Sequence, residues 1–112
     1  MSKNVLSIDL SYRDALPVVT VAGEVDTASA PSLRLALDQL EPDKHAYVDM
    51  ADVGFLDSKG VNVLIHQALR MRRSHAELHI QNPSRVVRRV IEISGLSGQF
   101  FEFDSVGQRT QD

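Results

Sequence analysis

The 112 residues contain no cysteine and no tryptophan, and aromatic residues make up only 5%. Without thiols there are no disulfides, no thiolate metal centre and no cysteine nucleophile; that suits a cytoplasmic protein. Without tryptophan, and with two tyrosines, platforms for stacking single-stranded bases are scarce. Long apolar runs are missing too. None approaches the roughly 20 residues that span a bilayer, and Met1-Ser2-Lys3-Asn4 lacks the apolar stretch of a secretory signal, so no membrane insertion is expected. Nor is there an excess of positive charge. Twelve Lys and Arg against fifteen Asp and Glu leave −3, which argues against direct binding of nucleic acid or an anionic membrane. What is present is ordinary: 43% hydrophobic and 24% charged residues, the balance of a folded chain rather than a disordered one. This length supplies one core, so a single domain over residues 1–112 is expected, with the polar 104–112 a frayed tail.

Periodicity sketches the elements. Val5 to Tyr12 alternates apolar and polar positions, and Val18 to Gly23 follows a short turn at Arg13–Pro17, which predicts an antiparallel hairpin. Thr27 or Ser29 can cap a helix with Pro31 in its first turn and Leu33, Ala36, Leu37 and Leu40 as its stripe, stopped by Pro42. Ala46 to Ala51 reads as a buried strand. From Ser58 onward Val61, Leu64, Ile65, Ala68 and Leu69 form the cleanest helical stripe. Ala76 to Gln81 is a further strand. Asn82-Pro83 opens a third helix with Val86, Val87, Val90 and Ile91 inward, and Ser94-Gly95 stops it. Phe100 to Phe103 closes the series. The order β-β-α-β-α-β-α-β predicts an α/β fold: a mixed sheet opening with an antiparallel hairpin and covered by amphipathic helices.

Most chemistry is absent. The histidines, His45, His66, His75 and His79, show no metal-ligand spacing once His75 and His79 are placed at a helix–strand transition, about 13 Å apart. No metal or other cofactor is expected. A Ser58–His66–Asp triad would stretch about 12 Å along one helix, with no nucleophile elbow. No Gly-rich phosphate loop occurs. Nothing points to an enzyme. The arginines at 70, 72, 73, 85, 88 and 89 read as helix-end complements and solvated faces. One stretch stands apart, Val53-Gly54-Phe55-Leu56-Asp57-Ser58-Lys59-Gly60, between a buried strand and the best helix, where α/β folds present functional loops. Asp57 or Ser58 serves there as an ordinary N-cap, while Phe55 and Leu56 either staple the helix or show at the surface.

The segment Asp49-Met50-Ala51-Asp52-Val53-Gly54-Phe55-Leu56-Asp57-Ser58-Lys59-Gly60-Val61 resembles the signature of STAS domains, in particular bacterial anti-sigma-factor antagonists: an Asp-bearing strand, then aromatic-aliphatic-Asp-Ser-x-Gly opening a helix. Gly23-Glu24-Val25-Asp26 is similar to the family's Gly-Glu-(apolar)-Asp after the hairpin. The likeness runs from Val5 to about Phe103. It implies a partner switch. The unphosphorylated antagonist would bind an anti-sigma factor with a histidine-kinase-like ATPase fold, that factor would phosphorylate Ser58 and be released, and a serine phosphatase would reverse the step. On the same mapping Asp26, Thr27, Leu56, Asp57, Ser58, Lys59 and Gly60 would form the partner-binding surface. A phosphate on Ser58 is expected to sit at the helix N-terminus, a natural anion site. Two features depart from the family: Lys59, where a small residue is usual, and the short polar end. The other reading is an unphosphorylated STAS scaffold subunit of a transport or sensory complex, with Ser58 only a helix cap.

Overall fold

The computed structural model describes residues 5–94 and 102–104. β1 (Ser7–Arg13) and β2 (Leu16–Val25) form the antiparallel hairpin. Its two-residue link, Asp14-Ala15, has φ of 53° and 70°, the paired positive values of a tight turn that follows the strand twist. α1 (Ala30–Asp38), β3 (Ala46–Leu56), α2 (Ser58–Arg72), β4 (Leu78–Gln81), α3 (Arg85–Ile93) and β5 (Glu102–Asp104) follow. The sheet order is β1-β2-β3-β4-β5, with every pair after the first parallel, so the sequence-derived architecture holds. Phe100 and Phe101 of the expected last strand, the expected Gly95 stop and residues 105–112 of the expected tail lie outside the described residues, while Asp104, expected to begin that tail, instead ends β5 by pairing with Gln81.

Val19 and Val21 of β2, Val48 and Met50 of β3, and Leu78 and Ile80 of β4 pack in one core with Leu33 and Leu37 of α1, Leu64 and Met71 of α2, and Val87 and Ile91 of α3. The α2 stripe is turned from the expected one. Gln67 and Met71 are buried, whereas Leu69 is exposed. Gln67 accepts from Arg70 Nη1 at 3.0 Å, and Arg70 Nη2 donates to the Leu40 carbonyl at 3.0 Å. Arg70 therefore serves the chain leaving α1 as well as the dipole of its own helix. The α3 cap is Ser84, not Asn82: its Oγ accepts from Val87 N at 3.2 Å and donates to the Val53 carbonyl at 2.6 Å. Asn82, at φ 50°, instead donates to Asp49 Oδ2 at 3.2 Å.

β3 decides where the site lies. It does not stop at Ala51 but runs to Leu56. Thr20 pairs with Asp49 and Ala22 with Asp52, then Gly23 with Val53 and Glu24 with Phe55, so β3 carries an extra residue at each step. Each bulge flips the alternation. Burial accordingly reads Ala46, Val48, Met50, then Val53, then Leu56, a spacing that no period-2 search recognises.

Candidate functional site

The two motifs meet because β2 and β3 are parallel neighbours ending at the same edge. Val25 pairs with Leu56, and Asp57 N donates to the Val25 carbonyl at 3.1 Å. Gly23–Asp26 and Phe55–Ser58 thus leave the sheet side by side. Asp57, in extended conformation, is the N-cap of α2; its Oδ1 accepts from Lys59 N at 2.9 Å and Gly60 N at 3.1 Å. Its Oδ2 accepts from Thr27 Oγ1 at 3.2 Å. One carboxylate therefore holds the helix start and the β2–α1 loop together.

Ser58 is the first residue of α2 and is exposed. No hydrogen bond or ion pair engages its hydroxyl among the described residues. The Lys59 and Gly60 amides that open α2 are already taken by the Asp57 carboxylate.

Of the expected surface, Thr27, Ser58 and Lys59 are exposed and Asp26 and Asp57 are half-buried. Leu56 and Gly60 are not surface groups. Leu56 is 3% exposed, turned inward by the second bulge. A Cβ on Gly60 would lie 2.5 Å from Leu56 Cδ1 and 2.7 Å from Val25 Cγ1, so glycine is needed for the helix to approach the strand ends this closely. Both shape the turn from within. Phe55, 44% exposed, takes the outward place instead. With Glu24, Asp26, Thr27 and Asp57 it lines an open acidic hollow of about 520 Å³. Glu24 and Phe55 stood in the two motifs but not among the expected contacts; only the register between the motifs brings them together.

The β2–α1 loop is held by its own bonds. Asp26 Oδ1 accepts from Ser29 N at 2.9 Å and from Ser29 Oγ at 3.0 Å; Ser29 Oγ accepts from Asp26 N at 2.9 Å and lies 2.8 Å from the Glu24 carbonyl. Ser29 is the residue before α1, yet it makes no side-chain bond to the helix; its hydroxyl is spent on the loop. The Ser29 amide, then its hydroxyl, hold the Asp26 pKa below the ordinary aspartate value, against opposing desolvation. A depressed folded-state pKa means stability present above the unfolded value and lost as pH falls through the folded one. The melting temperatures of wild type and Asp26→Asn should therefore differ by a constant amount near neutrality, a gap that closes below about pH 4. A gap unchanged down to about pH 3 would show that the charge on Asp26 contributes nothing.

His45, His66 and His75 are exposed, but His79 is half-buried, its ring 5.1 Å from that of Tyr47 and 5.9 Å from that of His45. Among the described residues no three potential ligands cluster to hold a metal, and no helix is long and apolar enough to cross a membrane.

Comparison with known proteins agrees with this geometry. A family profile described as "Mlab, STAS domain" matches residues 8–103. The anti-sigma-B factor antagonist of Listeria monocytogenes is 32% identical over 95 residues, covering 82% of this chain and 83% of that protein. Among solved structures, an anti-sigma factor antagonist from Mycobacterium paratuberculosis superposes with a TM-score of 0.80 at 24% identity, over 92% of this chain and 88% of that one. The Bacillus cell fate determinant SpoIIAA in its phosphorylated form superposes with a TM-score of 0.65 at 18% identity, over 96% and 97%. These two likenesses speak for the fold, and the profile match over most of the chain, with the relative of similar length, speaks for descent: this protein belongs to the STAS domain family.

Proposed function

We propose that the protein is an anti-sigma-factor antagonist of the partner-switching kind, non-enzymatic and acting in the cytoplasm. Unphosphorylated, it binds a kinase-type anti-sigma factor with a histidine-kinase-like ATPase fold through Asp26, Thr27, Asp57, Ser58 and Lys59. That factor then transfers phosphate to Ser58. The serine oxygen bonds to the γ-phosphorus of ATP, the bond to ADP breaks, and the hydroxyl proton is released. The modified protein dissociates, and a serine phosphatase restores it. The observation that carries this reading is an exposed, unengaged Ser58 hydroxyl on a fixed corner. The curated relative in Listeria bears the antagonist name, and SpoIIAA occurs in a phosphorylated form.

The position suits a switch that acts without refolding. The groups holding the turn are the Asp57 carboxylate and backbone, so esterifying Ser58 removes none of their bonds. It adds about 1.5–2 negative charges next to Asp57. Incubating the chain with ATP and the kinase-type anti-sigma factors of its own genome, followed by tandem mass spectrometry, tests it. One phosphate is expected on Ser58, and none on Ser58→Ala. No phosphate with any of them leaves the scaffold reading, with Ser58 only the first residue of a helix.

A further inference from the structure

Thr27 divides two surfaces of opposite charge. On one side lies the acidic hollow of Glu24, Asp26 and Asp57, with no cation in its wall. On the other, an open groove of about 560 Å³ runs between α1 and α2. Arg34, Lys59, Asn62 and His66 line it over Pro31 and Val63, with no carboxylate among the lining residues. In a chain of net charge −3 that segregation is a local feature, not an average. Arg34 Nε lies 3.8 Å from Asp38 and its Nη2 3.5 Å from His66 Nε2, while Lys59 makes no ion pair among the described residues. Ser58, Asn62 and His66 are four residues apart on α2 and so share one ridge. On α2 the groove therefore opens beside the Ser58 turn, at Lys59, and runs to His66, about 10 Å along the helix.

We propose that this groove seats a short carboxylate-bearing segment of the same protein that docks on the Ser58 turn, which rests on the partner-switching reading above. The groove's length matches about three extended residues or two helical turns, enough to carry two or three carboxylates. Charge complementarity names the occupant and also its direction. A partner that brings a cation to the acidic hollow and carboxylates to the groove fits one way round only, because the reversed pose sets like charges against each other on both sides of Thr27. The proposal also gives Lys59 a role. Lys59 lines the groove and follows Ser58 directly in the chain, so a phosphoryl group on Ser58 competes with the partner's carboxylates for its ammonium.

An acetylated, amidated hexaglutamate peptide titrated into the ¹⁵N-labelled full chain tests this by amide chemical shifts. Saturable shifts are expected at Arg34, Lys59, Asn62 and His66, with affinity about fivefold lower in Arg34→Gln/Lys59→Gln. A hexalysine peptide should instead move Glu24, Asp26 and Asp57. Both substituted side chains are exposed, and an unchanged melting curve verifies the fold of the variant. The proposal is overturned by shifts centred on the Arg85–Arg89 face, by no saturable shift, or by equal shifts with inorganic phosphate at the same concentration. No anti-sigma factor enters this titration, so its outcome is separate from that of the phosphorylation assay. Glutamate seated in the groove of a chain that no kinase modifies would keep the groove and sink the switch.

Discussion

A Ser58→Asp chain is expected to bind the proposed kinase-type anti-sigma factor about 30-fold more weakly than wild type, and the Ser58 phosphoprotein up to several thousand-fold more weakly. An unmatched charge brought into an interface costs about 2–5 kcal/mol, at about 1.4 kcal/mol per tenfold. Aspartate adds one charge and falls at the lower end; phosphate adds nearly two and takes the chain from −3 to about −5. The helix dipole offers little relief, since the Asp57 carboxylate already holds the Lys59 and Gly60 amides. Lys59, the next residue, carries the nearest cation in sequence. Ser58→Ala should bind within about twofold of wild type and stay bound under ATP, because the hydroxyl it removes has no partner within the described residues. Calorimetric titration of the three forms decides it, and equal affinities for the alanine and aspartate variants would remove the mechanism.

Gly23→Ala should unfold the protein at a much lower temperature, by about 10–20 °C. Gly23 has φ of 106°, and a Cβ there would lie 2.5 Å from the Val5 carbonyl oxygen and 3.1 Å from Leu6 Cα. The backbone conformation costs a side chain about 1–3 kcal/mol. The clash adds about 1–3 kcal/mol, because it is with the Val5–Leu6 backbone that leads into β1 rather than with the end of a flexible side chain. Set against a total stability of about 5–15 kcal/mol, the sum is large. Gly54→Ala is the control: nothing lies within 4 Å of its added Cβ, and its melting temperature should move by about 2 °C at most. A thermal melt in which both variants match wild type would show that the glycine of Gly23-Glu24-Val25-Asp26 has no conformational role. Because Gly23 adjoins the bulge that sets Glu24 opposite Phe55, this glycine bears on the acidic hollow as well as on stability.

The elements were legible because their signals are short-ranged. Helical spacing of Leu33 and Leu37, of Val61 and Leu64, and of Val87 and Ile91 forecasts the faces that are buried. Alternation forecasts the first strand of the hairpin, and the Asp-Ser-x-Gly stretch marks the start of α2. Local cues mislead where a distant group answers them. Asn82-Pro83 looks like a cap, yet Ser84 is the one whose backbone is held by Met50 and whose hydroxyl reaches Val53. Ile65 and Leu69 looked as central as Val61 and Leu64, but α1 and the sheet cover a slightly different arc of the helix, so Gln67 and Met71 go inside.

By itself, then, the chain's own order of residues determined the number and kind of elements, the family likeness and the serine at a helix start, since each depends on neighbours within a few positions. Only the folded state decided how β3 continues to Leu56, that Leu56 turns in while Phe55 turns out, and that Thr27 reaches Asp57 thirty positions away. Those outcomes follow from the parallel register of β2 on β3 with its two bulges. Register is a property of two strands jointly, so neither strand's sequence contains it. The same pairing brings Glu24 and Phe55 together in an acidic hollow, which Thr27 shares with the groove between α1 and α2.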